Sequence, residues 1–98
     1  MKQDIAAHIW ELRLEKEHEQ QGICPACKEP VSAQTGELAH RIPQRKWTIA
    51  KWGPGIVHHP MNLFLTHPGK CNSDVSMGNH PLDMEKLATA IRKERDRC

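Results

Sequence analysis

Apolar positions fall at helical spacing at the two ends of the chain and at strand spacing in two short stretches between them. Over residues 3–20, Ile5, Ile9, Leu12 and the pair Trp10 and Leu14 recur at three- and four-residue steps, which predicts a helix with one apolar stripe. Asp4 suits its N-cap or first turn, where an acid complements the helix dipole. Glu15 to Gln21 reads as a solvated end, and Gly22 as the stop. Glu37 to Ile42 alternates well enough for a short strand with Leu38, His40 and Ile42 on one face, and Pro43 ends it. Asn62 to Thr66 is the second strand. Residues 44–61 between them form a long connection in which 46–52 supplies a helical turn or two, with Trp47 and Ile49 or Trp52 inward. Asn72 to Met77 reads as a helix start, because Asn72, Ser73 and Asp74 cap well, and Gly78 and Asn79 break it. Pro81 opens a last helix whose inward stripe is Leu82, Met84 or Leu87, and Ile91.

This order predicts a small α+β domain spanning 1–98: an N-terminal helix over 1–22, a core over 23–78 and a C-terminal helix over 79–98. A chain of 98 residues buries a modest core, so a metal staple is physically reasonable. No apolar run approaches membrane-spanning length and no secretory pattern opens the chain, which points to the cytoplasm and to no membrane partner. Net charge is only +2, so composition alone does not call for nucleic acid. Distribution says more: Arg41, Arg45, Lys46 and Lys51 follow one another closely, and four more cations close the chain.

The chemistry lies in two pairs of ligands. Cys24 and Cys27 stand as Cys-x2-Cys, His67 and Cys71 as His-x3-Cys, and together they make the Cys3His set favoured by structural zinc. The alternative is a framework of disulfides or redox thiols; it lacks both a secretory context and a thioredoxin-like strand and helix. Cys98 is left as an unpaired thiol. Between the pairs lies Ala39-His40-Arg41-Ile42-Pro43-Gln44, and Asn72 follows the last ligand. A zinc clasp would pin the two segments so that His40 and Asn72 face a shared site. On its own a strand His is more often a packed core residue. His58 and His59 read as loop residues, and His8, His18 and His80 as surface.

Over roughly residues 23–78 the motif order resembles the HNH endonucleases of the His-Me finger, or ββα-metal, fold. Cys-x2-Cys is followed by Ala39-His40-Arg41-Ile42-Pro43-Gln44, by His58-His59-Pro60-Met61-Asn62-Leu63, and by His67-x3-Cys71-Asn72. The resemblance implies a zinc-stapled His-Asn-Asn variant with flanking helices, acting as a metal-dependent DNA endonuclease. It implies His40 as general base, Asn62 steadying the loop that aims it, and Asn72 as partial ligand of a catalytic Mg2+ or Mn2+. Arg41, Arg45, Lys46 and Lys51 would bind flanking DNA phosphates. Ala39 departs from the pattern, since active members usually place a metal ligand directly before the catalytic His; Glu37 or Asp74 are the substitutes at hand. The alternative function is therefore a catalytically silent zinc module of the same fold that binds DNA or a protein partner. A nuclease of this size would need two copies to cut both strands at once.

Overall fold

The computed structural model describes residues 2–78 and 80–97, so the assignments made for Asn79 and Cys98 lie outside the described residues, as do the side chains of Asp4 and Ile5. Its elements are α1 (Lys2–Glu19), β1 (Glu37–His40), α2 (Lys46–Trp52), α3 (Pro54–Val57), a 3-10 turn (Pro60–Asn62), β2 (Leu63–Thr66), α4 (Lys70–Asp74) and α5 (Pro81–Arg95). The two strands pair as a single antiparallel sheet, and the architecture is α+β. Among the described residues, no helix is long and apolar enough to cross a membrane.

The chain divides into two compact units. The first comprises residues 1–39 and 64–75, the second 40–63 and 76–98. Each has its own core. In the first, Cys24, Val31 and Leu65 are buried together, with Ala26, Leu38 and Cys71 packed against them. In the second, Ile42, Trp52, Ile56, Val57, Met84, Leu87, Ala88 and Ile91 form a larger cluster.

In the first unit α1 ends as its sequence predicts: Gly22, at φ +69°, takes the left-handed conformation and donates its N–H to the Glu17 carbonyl at 2.8 Å. Of the predicted stripe, however, Leu12 alone is buried among the described side chains. Ile9, Trp10 and Leu14 are each more than 40 % exposed, whereas Leu12 and Lys16 are buried. At about 100° per residue, Leu14 points roughly 200° away from Leu12, so the apolar residues of α1 occupy two faces. The Lys16 stem lies in the inner face while its ammonium reaches Glu19 Oε2 at 3.0 Å. Gln20 then acts as a surrogate strand: its Oε1 accepts the Leu65 N–H at 2.7 Å and its Nε2 donates to the Leu65 carbonyl at 2.8 Å.

In β1 the fully buried residue is Ala39, and Leu38 and His40 are only partly buried. The strand ends at His40, so the alternation predicted through Ile42 stops short, although Ile42 itself is a core residue. In the second unit the connection after Pro43 is largely helical. Thr48 organises its start, accepting the Arg45 N–H at 3.0 Å and donating to the Pro43 carbonyl at 2.6 Å. Trp52 is the inward tryptophan; its indole N–H donates to Glu85 Oε2 at 3.0 Å. Trp47 is exposed and leans on the Trp52 ring, with centroids 5.9 Å apart. In α5 Met84, Leu87, Ala88 and Ile91 face the core, while Leu82 is 80 % exposed, roughly 200° around the helix from Met84. Helix α4 begins at Lys70, not Asn72, which places Asn72 inside the helix and removes its predicted capping role.

A Cys3His cluster and a clamped histidine

The first ligand pair sits in a tight turn closed at both ends. The Cys24 N–H donates to the Glu29 carbonyl and the Lys28 N–H to the Cys24 carbonyl, each at 2.9 Å. Lys28 takes the left-handed conformation at φ +66°, which turns the chain back so that Ile23 and Pro30 pair across an isolated bridge. His67 follows β2 directly, and Cys71 is the second residue of α4. These two short anchors bring all four ligand atoms of Cys24, Cys27, His67 and Cys71 within 4.8 Å of one another. Cys24, Cys27 and Cys71 are free thiols, not disulfides.

His67 is oriented for ligation. Its Nε2 lies 2.8 Å from the Pro30 carbonyl, an acceptor, so Nε2 carries the proton and Nδ1 presents its lone pair toward Cys27 Sγ at 3.3 Å and Cys71 Sγ at 3.8 Å. The thiols differ in electrostatics. Burial alone would raise Cys24, but the backbone N–H groups of Cys27, His67 and Ala26 donate to its sulfur and bring its pKa down to about 6. Cys71 is pushed up to about 11, first by desolvation and then by sharing the cluster with Cys27 and Cys24. The donor set is soft and borderline, with S and N atoms, and it could hold a metal ion of that character. Among the described residues, this is the one place where three or more His, Cys, Asp or Glu groups converge in this way.

In the second unit Asn62 is fully buried at the end of the 3-10 turn. Its Oδ1 accepts the Ile42 N–H at 2.7 Å, and its Nδ2 donates to the Ile42 carbonyl at 3.1 Å and to the Val57 carbonyl at 2.7 Å. The Asn62 carbonyl also accepts the Arg41 N–H at 2.8 Å. One side chain thus joins the segment after His40 to the end of α3, using all the hydrogen-bonding directions a primary amide can satisfy there. His40 is half-buried, and its Nε2 lies 3.2 Å from His58 Nδ1 with the rings nearly perpendicular. Burial, and then the charge of His58, hold His40 below the ordinary histidine range. His59 spends its Nδ1 on the Met61 N–H at 3.1 Å and is a local cap.

Asn72 lies in the first unit, its amide donating to the Glu37 carboxylate. His40 belongs to the second unit, and each has the neighbours just given. Ala39 is buried and offers a metal nothing. Arg45, Lys46 and Lys51 are exposed; Lys51 is 3.8 Å from Glu85 and lies over the Trp52 ring. Arg41 is partly buried, which lowers its pKa, although a guanidinium stays charged. The sequence marks His58 only as a loop residue and gives no sign that Glu37 meets Asn72. Both contacts join residues far apart in the chain, and no periodicity marks them.

Comparison with family models, with curated proteins and with solved structures yields no match.

Proposed function

We propose that the chain is a metal-dependent HNH-type DNA endonuclease in which the Cys3His cluster holds a structural zinc and His40 is the general base. The observation that carries this reading is the Asn62 clamp: a buried amide fixes both backbone groups of Ile42, two residues beyond a half-buried imidazole. That is the positional work expected of the Asn in a His-Asn-Asn site. His40, neutral near physiological pH, would take the proton of a water attacking phosphorus. Glu37 and Asn72 are paired on the first unit and offer hard oxygens of the kind that suits Mg2+ or Mn2+. The ion, when bound, would supply charge stabilisation at the scissile phosphate and at the departing 3′ oxygen. Arg41, Arg45, Lys46 and Lys51 would contact flanking phosphates, giving affinity without sequence information.

A second reading follows from Ala39. Ala39 is 1 % exposed and its methyl group carries no donor atom, so no side-chain ligand stands directly before His40. On this reading the chain is a catalytically silent zinc module that binds DNA or a protein partner. Plasmid cleavage with Mg2+ or Mn2+ separates the two, comparing the wild type with His40→Ala at equal zinc content. Nicking by the wild type that the variant lacks is the expected result. Absence of cleavage by zinc-loaded wild type, together with DNA affinity that falls as salt rises, moves the assignment to a binding module.

A further inference from the structure

The contact between His40 and His58 has a direction that chemistry can assign. The two facing atoms, His40 Nε2 and His58 Nδ1, are 3.2 Å apart. At that distance two lone pairs repel, so when both rings are neutral one nitrogen carries a proton and the other receives it. If His58 donated, its ring would adopt the Nδ1–H form, and so would His40, whose Nε2 lone pair would be used up. If His40 donates, both rings keep the Nε2–H form, which is the intrinsically favoured tautomer of a neutral histidine. The second arrangement costs neither ring its preferred state and leaves His40 Nδ1 with a lone pair.

We infer that His58 is a positioning residue: its Nδ1 accepts the Nε2–H of His40 and so fixes His40 as the tautomer whose Nδ1 is basic. The functional half of this inference rests on His40 being the general base; the tautomer itself does not. The Asn62 clamp holds the backbone after His40, but nothing in that clamp sets rotation of the imidazole. His58 does so from the segment that follows α3, whose last carbonyl, at Val57, Asn62 also holds at 2.7 Å. One buried amide therefore fixes the backbone on both sides of the imidazole pair. With the nitrogens 3.2 Å apart and the ring centroids 5.3 Å apart, both nitrogens lie close to the line joining the rings, as an in-plane N–H···N bond requires; the 80° between the planes is free rotation about that line.

The test reads the tautomer directly. In protein labelled with 15N on its imidazoles, at a pH where both rings are neutral, long-range 1H–15N correlation spectra should show His40 with a protonated Nε2 and an unprotonated Nδ1. His58 should show an unprotonated Nδ1. In His58→Ala the His40 nitrogens should move toward tautomer-averaged shifts. His58→Asn, whose amide oxygen stands close to the position of Nδ1, should restore them. In the cleavage assay His58→Ala should lower kcat by at least about tenfold, bounded by the hundred- to ten-thousandfold that a general base contributes, with KM little changed. His58→Asn should recover most of that loss.

A wild-type His40 protonated at Nδ1, or a His40 pattern unaltered by His58→Ala, overturns the inference whatever the cleavage results are. The predicted tautomers in a wild type that cuts no DNA would uphold the imidazole lock and reject the nuclease. Cleavage abolished by His40→Ala but unchanged by His58→Ala would retain the nuclease and reject the role of His58.

Discussion

Asn62→Ala is the perturbation whose cost follows most directly from the structure. The wild-type side chain is fully buried and makes three hydrogen bonds, one from the Ile42 N–H and two to the carbonyls of Ile42 and Val57. Each such bond contributes roughly 1 kcal/mol net, and a buried backbone group left without a partner costs about 1–3 kcal/mol. Water entering the vacated space would satisfy part of that demand, which brings the expected loss to about 3–5 kcal/mol. Small domains hold roughly 5–15 kcal/mol in all, so the loss removes a large share of the total. With a urea m-value of about 1.5 kcal/mol/M, the midpoint falls by roughly 2–3 M at unchanged m. The assay is equilibrium urea unfolding, with zinc saturating in every sample so that the Cys3His cluster is held constant. Asn62→Asp sharpens the test. A carboxylate keeps the bond from the Ile42 N–H but turns a negative oxygen toward two carbonyls, so it must bind a proton to fit. Its folded pKa then lies above its unfolded one, and this variant, unlike the wild type, should gain stability as pH falls through the folded value. A loss below about 1 kcal/mol for Asn62→Ala at unchanged m would refute the clamp.

Zinc should be present at about one per chain by elemental analysis, and Cys27→Ser should lose both the metal and the thermal transition, because structural zinc contributes folding energy outright; full stability in strong chelator with all thiols free would contradict this. His40 is held below 6.5 by burial and by His58, so on acidification the unfolded chain binds this proton first. The stability that His40 lends is therefore complete above its unfolded pKa and declines as pH drops through that value toward the folded one; in zinc-saturated protein, His40→Gln should flatten that part of the stability–pH curve. Gly36→Ala would set a Cβ 2.8 Å from Val31 Cγ2, 2.9 Å from the Ser32 carbonyl and 3.0 Å from Leu65 Cδ1, inside the core beside the metal ligands. It should cost about 1–3 kcal/mol by overpacking, measured in urea, while zinc stoichiometry stays the same.

Local chemistry was legible without a structure wherever neighbours along the chain supply the partners. The Cys-x2-Cys and His-x3-Cys spacings picked out the four residues that converge as a possible metal site, because each pair is held by one short turn and needs only one long-range meeting. Gly22 as a stop, Pro81 as a helix opener and the two short strands rest on the same kind of local constraint. What the tertiary structure alone decided is which side of each element is covered. Ile9, Trp10 and Leu14 share the predicted stripe with Leu12, yet only Leu12 takes the inner face, joined by Lys16, since burial depends on what lies opposite and not on the helix alone. Leu82 lost its place in the core to Ala88 for the same reason. The polar contacts that aim side chains — Asn62 on Ile42 and Val57, His58 on His40, Asn72 on Glu37 — join residues between 5 and 35 positions apart. A hydrogen bond needs its partners within a few tenths of an ångström, and hydrophobic periodicity carries no information at that scale. Residue types and spacing determined which metal-binding chemistry the chain could support; only packing determined how its histidines are aimed.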